Sequence, residues 1–280
     1  MRRQEHLRSV SRSLQRLAMA RLATPLDDGE LRRSAMVFAP HPDDETLGCG
    51  GTILQKRRSG ADVRIVFMTD GAASHAHLIS RSELRLMRRR EALEAVEALG
   101  LAPARSSWLD FPDAELSLWR AEAVTRVSRL LEQHRPQQVF LPYARGEHSD
   151  HVATHSIVYE SIARLGLAAT LLEYPVWSWR HWPVAGEGSS WGKARAVLAG
   201  CRATVCGVRF LRELRTSVAI QDVVAQKRAA LERHVSQMRR RNGAPCWPTL
   251  GDVDQGEFLA CFFQEYEYYR RVDFRGTARG

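Results

Sequence analysis

No apolar run in this 280-residue chain approaches the roughly 20 residues that cross a bilayer. The first residues also lack the unbroken apolar core of a secretory signal, because Arg8, Arg12 and Arg16 interrupt it. Together these absences lead to the expectation of a cytoplasmic protein. Cysteine is scarce and scattered: Cys49, Cys201, Cys206, Cys246 and Cys261 are odd in number and form no CxxC pair. That argues against a disulfide framework and a thiolate metal site, and leaves small buried hydrophobes. Lysine is nearly missing, with only Lys56, Lys193 and Lys227, so the net charge of +9 is carried by arginine. The dense clusters Arg88–Arg90 and Arg239–Arg241 lack interleaved aromatic residues, which nucleic-acid binding would want. They read as solvated helix faces, and no nucleic-acid partner is expected. There is no internal repeat and no low-complexity tract.

What is present is the composition of a globular domain, 44% apolar and 26% charged, enough to fill a real core. Residues 1–33 divide from the rest as a basic amphipathic helix with Leu7, Val10, Leu14, Leu17 and Leu22, then a linker at 24–29. Such a helix packs on the domain or a partner subunit, or lies at a membrane surface; the second option makes residues 1–24 a peripheral membrane contact. Residues 34–280 read as a single domain. Apolar runs at 35–39, 63–68, 107–109, 139–142 and 170–174 read as strands. Helical patterns at 82–99 and 119–134, and after residue 151, separate them, with another at 222–238. This alternation predicts an α/β fold, a doubly wound and mostly parallel sheet. The C-terminal elaboration reads as irregular, with aromatic residues at Tyr266, Tyr268 and Tyr269.

Two of the expected strands end in unusual loops. The first, Pro40-His41-Pro42-Asp43-Asp44-Glu45, runs into a Gly-rich stretch that reads as a turn, Gly48-Cys49-Gly50-Gly51. The second, about a hundred residues later, is His148-Ser149-Asp150-His151. In open α/β sheets ligands bind at the carboxyl ends of strands. A catalytic zinc wants three His or carboxylate ligands with one position left for water. A hydrolytic site needs in addition a carboxylate base and a donor for the oxyanion. The two loops supply all of these residue types together, which neither does alone.

The pair of motifs resembles the LmbE / PIG-L family of zinc-dependent N-acetylglucosaminide deacetylases. Other landmarks are Thr69-Asp70-Gly71, Arg88 three residues before Glu91, Leu99-Gly100, Pro112-Asp113, and Lys227 with His234-Ser236-Gln237. The resemblance covers about 36–240. It implies a Rossmann-like sheet, with His41, Asp44 and His151 as zinc ligands and Asp43 as general base. It also implies that His148 stabilises the oxyanion, with Asp150 orienting His148 and favouring its protonated form. Substrate contacts at Arg88, Asp113 and His234 follow from the same resemblance.

Around this set the residues leave alternatives. Arg88 and Glu91 could pair along one helix, and Asp113 could be a turn residue. His75 and His77 read as exposed loop residues, and His155 as a helix-face residue. Trp177, Trp179 and Trp182 form either a sugar-stacking platform or core packing. The activity implied is removal of an N-acetyl group from an amino sugar on a small-molecule, lipid or antibiotic conjugate, releasing acetate and a free amine. A metal-dependent amidase or esterase on another acylated natural product or thiol-sugar conjugate would use the same site. A non-catalytic binding protein would show a broken metal set, and both loops are intact.

Overall fold

The computed structural model describes residues 13–146, 148–181, 205–241 and 246–276. Residues 1–12 of the expected basic helix and Trp182 lie outside them. The chain enters as helix α1 (residues 13–22), which buries Met19 and leaves Leu14, Leu17 and Leu22 exposed. The expected linker is a two-residue strand, β1 (Thr24–Pro25), followed by helix α2 (Asp28–Arg32). The reason lies at both ends of α2. The Asp27 carboxylate caps its start by accepting from Glu30 N at 2.8 Å. At its end, the Lys56 ammonium reaches the carbonyls of Glu30, Leu31 and Arg33 at 3.1, 3.3 and 2.9 Å, a cation at a helix C-terminus.

The apolar runs form the expected strands with slightly wider bounds: β2 (Ala35–Ala39), β3 (Val63–Thr69), β4 (Ser106–Phe111), β5 (Gln138–Pro142) and β6 (Ala169–Tyr174). Between them lie α3 (Asp44–Arg58), α4 (Arg81–Ala98), α5 (Arg120–His134) and α6 (Ser149–Leu165). Later come α7 (residues 205–213), β7 (Thr216–Ala219), α8 (Val224–Leu231), α9 (Val235–Met238), α10 (Glu257–Ala260) and β8 (Tyr266–Phe274). The spatial strand order is β1-β7-β8-β6-β5-β2-β3-β4, and β8 alone runs antiparallel to its neighbours. This is the doubly wound α/β fold the alternation implied. Alternate residues of β2 face opposite sides. Val37 and Ala39 pack with α3, α4 and α8, whereas Met36 and Phe38 pack with α5 and α6. Successive strands run outward from β2 to β4, then restart at β5 on the other side of β2. The switch point is therefore the crevice between the carboxyl ends of β2 and β5.

Three further elements differ from the sequence reading. The Gly-rich stretch is no turn but the first half of α3. A Cβ on Gly48 would lie 2.2 Å from the Tyr174 ring, and one on Gly51 would lie 2.5 Å from Ile220, so glycine lets the helix lie close on the sheet. The expected helix at 222–238 is broken into α8 and α9 around His234, whose ψ of 62° leaves the helical region. The irregular end is in fact β8, nine residues long and wedged between β7 and β6. From β8, Glu267 reaches the middle of α3 and accepts the N–H groups of Gly51 and Thr52, both at 2.8 Å. Lys227 of α8 bonds that carboxylate at 2.7 Å and the Leu47 carbonyl at 2.8 Å. Among the described residues no helix is long and apolar enough to cross a membrane.

Candidate metal and active centre

The loop after β2 turns sharply because Asp44 is already the first residue of α3. Asp43 absorbs that turn with φ 137° and ψ −27°, a conformation that costs a non-glycine residue on the order of 1–3 kcal/mol. Its carboxylate accepts from Arg88 Nη2 at 3.0 Å, and the same guanidinium donates to the Gly71 carbonyl at 2.9 Å and to the Pro42 carbonyl. Arg88 thus ties the loops after β2 and β3 together. It makes no helix-face pair with Glu91, which instead accepts from Ser236 N and Oγ at 2.8 and 2.6 Å.

Across the crevice, the loop after β5 presents His148, and the first turn of α6 carries Asp150 and His151. The ligand atoms of His41, His148 and His151 lie within 4.8 Å of one another, as do those of His41, Asp113 and Asp150. One oxygen, Asp44 Oδ2, lies 3.1 Å from His41 Nδ1 and 3.2 Å from His151 Nε2. The expected ligand set is therefore brought together. Of two buried ring nitrogens without a well-formed hydrogen bond, His151 Nε2 meets only the Asp44 carboxylate and His148 Nδ1 has no partner among the described residues. Orphaned imidazole nitrogens beside a buried carboxylate form the donor set of a divalent cation.

The electrostatics fit such a centre. Burial works against a charged His41. The hydrogen bonds with Asp113, Asp150 and Asp44 outweigh it and hold its pKa well above the ordinary value. Burial likewise resists ionisation of Asp44, but the neighbouring His151 and His41 keep its carboxyl below the usual range. Asp43 behaves in the opposite way. Burial, with repulsion from Asp44, pushes it up to about 7 despite the Arg88 charge. A carboxylate poised near neutrality is suited to taking up and returning a proton. His148 is pushed down to about 4 by burial and then by His41 and His151, so it is neutral near pH 7.

That overturns the protonated His148 expected from Asp150. Asp150 does not orient His148: its oxygens accept the N–H groups of Ala114 and Leu116 at 2.7 and 3.2 Å and lie 3.3 Å from His41 Nε2. Residues two apart at a helix start do not face each other, which points Asp150 elsewhere. Asp113 is no open turn residue. It is buried, 3.2 Å from His41 Nε2, and accepts from Ala73 N at 2.8 Å.

A cavity of about 320 Å³ opens over these groups, and its lining combines the polar Asp113, Ser74, His75, Arg88 and Gln237 with the apolar Leu47, Trp177, Leu250 and Val253. His75 was expected to be exposed but is buried. It stacks on Trp247 at 4.2 Å and bonds the Pro248 carbonyl at 2.9 Å. No local pattern announces a partner more than 170 residues away. His77 is exposed as expected, and His155 pairs with Glu173 at 3.2 Å on the face of α6. The tryptophans divide: Trp179 is core, while Trp177 lines the cavity, near-parallel to His148 at 6.2 Å. Gln237 lines the cavity but His234 does not. It is fully buried and meets Glu45 Oε1 at 3.0 Å.

Residues 36–162, which hold both loops, match the model of the PIG-L family, described as GlcNAc-PI de-N-acetylase. A 1D-myo-inositol 2-acetamido-2-deoxy-alpha-D-glucopyranoside deacetylase from Mycobacterium sp. (strain KMS) is 28% identical over 256 residues, 80% of each chain. A diacetylchitobiose deacetylase from Thermococcus kodakarensis is 33% identical over 141 residues, 48% of this chain and 51% of that one. Among solved structures, the N,N'-diacetylchitobiose deacetylase from Pyrococcus horikoshii superimposes with a TM-score of 0.60 at 22% identity. It covers 86% of this chain and 84% of its own, and the likeness shows the shared fold.

Proposed function

Because residues 36–162 match the PIG-L family model, we propose that this chain is a zinc-dependent hydrolase that removes the N-acetyl group from an N-acetylglucosamine-type sugar of a small conjugate. The observation that carries the reading is the convergence of His41, Asp44, His148 and His151 at the switch point, beside a carboxyl poised at about 7. The relatives named as deacetylases of such sugars support it.

His41, Asp44 and His151 would hold the metal, their mixed imidazole and carboxylate donors suiting zinc. When bound, zinc supplies a Lewis acid for an acyl carbonyl and for an attacking water. Asp43 takes the proton of that water and returns it to the departing amine, which its pKa near neutrality allows in both directions. His148, neutral and half-buried, donates a hydrogen bond to the oxyanion. Arg88 holds Asp43 in place, and its position in the cavity wall beside Asp113 and Gln237 suits sugar hydroxyls. Asp150 fixes the 113–116 turn and faces His41.

We also treat the chain as one folded unit. Residues 13–33 are joined to the domain through the pairing of β1 with β7 and through Lys56. The outward Leu14 and Leu17, with Arg16 between them, support a peripheral contact with a membrane surface for α1. The test is acetate release from a panel of N-acetylglucosaminides with varied aglycones, run alongside metal analysis. About one zinc per chain with turnover on at least one conjugate is expected; zinc-free protein with full turnover would overturn the reading.

A further inference from the structure

Glu45 follows Asp44 directly, yet it turns away from the cavity and is fully buried. Both of its oxygens are engaged. Oε2 accepts the backbone N–H of Asp43 at 2.9 Å, while Oε1 accepts from Thr46 Oγ1 at 2.6 Å and meets His234 Nε2 at 3.0 Å. The peptide held in this way is the strained one, with φ 137° at Asp43. Freed from Glu45, it would relax toward ordinary φ and carry the carboxylate off Arg88. His234 reaches Glu45 only because α8 and α9 are separate helices. The break is pinned on its far side, where Ser236 bonds Glu91 and Trp247 Nε1 donates to the Ser236 carbonyl at 2.8 Å.

We propose that His234 is a positioning residue: by clamping Glu45 it holds the strained Asp43 peptide, and so sets where the base carboxylate stands. His234 does not line the cavity; its side-chain bond toward the Asp43 peptide runs through Glu45. The link to catalysis rests on the reading of Asp43 as the base; the clamp itself does not.

The experiment compares His234→Ala, His234→Gln and Ser236→Ala in the full zinc-loaded chain. It follows amide hydrogen exchange at Asp43 by NMR, with Ile53 and Leu54 of α3 as internal controls, together with kcat, KM and zinc content. In His234→Ala the Asp43 amide exchanges about tenfold faster or more relative to the controls, the worth of one hydrogen bond to a charged group. Its kcat falls by about tenfold or more while KM and zinc content hold, as displacement of a base requires. His234→Gln keeps a donor toward Glu45 and recovers most of both. Ser236→Ala loses the Oγ bond to Glu91 in the same break, keeps the backbone one, and leaves Asp43 exchange unchanged. Unaltered Asp43 exchange in His234→Ala, or equal acceleration in Ser236→Ala, overturns the clamp. If His234→Ala does not fold, Glu45→Gln, which weakens the same contacts, gives the same readout. A wild-type chain that turns over nothing defeats the functional reading, and the exchange data still decide the clamp.

Discussion

The two loops that meet over the crevice are held in different ways. The His41 loop is gripped from several directions: Arg88 from α4, His234 through Glu45, and Glu267 with Lys227 further along α3. The His148 imidazole, by contrast, has a buried Nδ1 with no partner and contacts mainly ring neighbours, His41 at 4.8 Å and Trp177 at 6.2 Å. In the proposed reading Asp43 must stand at one place while it takes up and returns a proton, which fits strain and many bonds. In the same reading the partner of His148 is the acyl oxygen, which arrives only with the substrate, so a lightly held ring suffices. Two of the grips on the first loop come from residues 227–267, beyond the segment that matches the family model.

The comparison breaks most visibly at Asp43. Asp43→Asn keeps the size and loses the base, so turnover should fall by about 10²–10⁴-fold while zinc content is retained. Full activity of that variant, measured as acetate release, would remove the mechanism. The next effect concerns pH. Asp43 must be ionised to act, and its pKa stands at about 7, so kcat/KM should fall as pH drops through neutrality. Arg88 pulls that pKa down, so Arg88→Met should move the acid limb to higher pH; an unmoved limb would show that another group titrates. The smallest effect is expected on the lightly held side. Trp177→Ala removes its ring contact with Phe258 and the one with His148, the latter worth about 0.5–1.5 kcal/mol, and should change kcat/KM by about three- to tenfold, without shifting the pH profile.

The parallel strands β2, β3, β5 and β6 were legible because each is a buried apolar run of the right length, whereas the short β1 and β7 were not; both site loops followed from where β2 and β5 end. Residue type and spacing marked the two loops, and the resemblance to the LmbE / PIG-L family singled out His41, Asp44 and His151 within them. Asp150 was placed correctly in sequence but misread in role, because its direction depends on which turn of α6 begins at Ser149. β8 escaped because Tyr266-Glu267-Tyr268-Tyr269 carries no apolar alternation: Glu267 is buried by pairing with Lys227 rather than by being apolar. The partners of His75 and Glu45 escaped for a similar reason, and His234 was singled out but given a substrate contact in place of Glu45, since each pairing spans more than 140 residues. Such pairings leave no periodicity for a sequence to display.

The placement of β8 carries a consequence for how the molecule comes into being. The eighth strand in sequence stands third in space, so β7 and β1 cannot join the parallel strands until it has left the ribosome. Until then β6 is an open edge, and the middle of α3 lacks the carboxylate that receives Gly51 and Thr52. A nascent chain stalled before residue 266 would carry both site loops and still expose a sticky sheet margin, the situation in which large α/β chains aggregate. Synthesis order thus makes completion of the sheet and fastening of the catalytic helix a single late event.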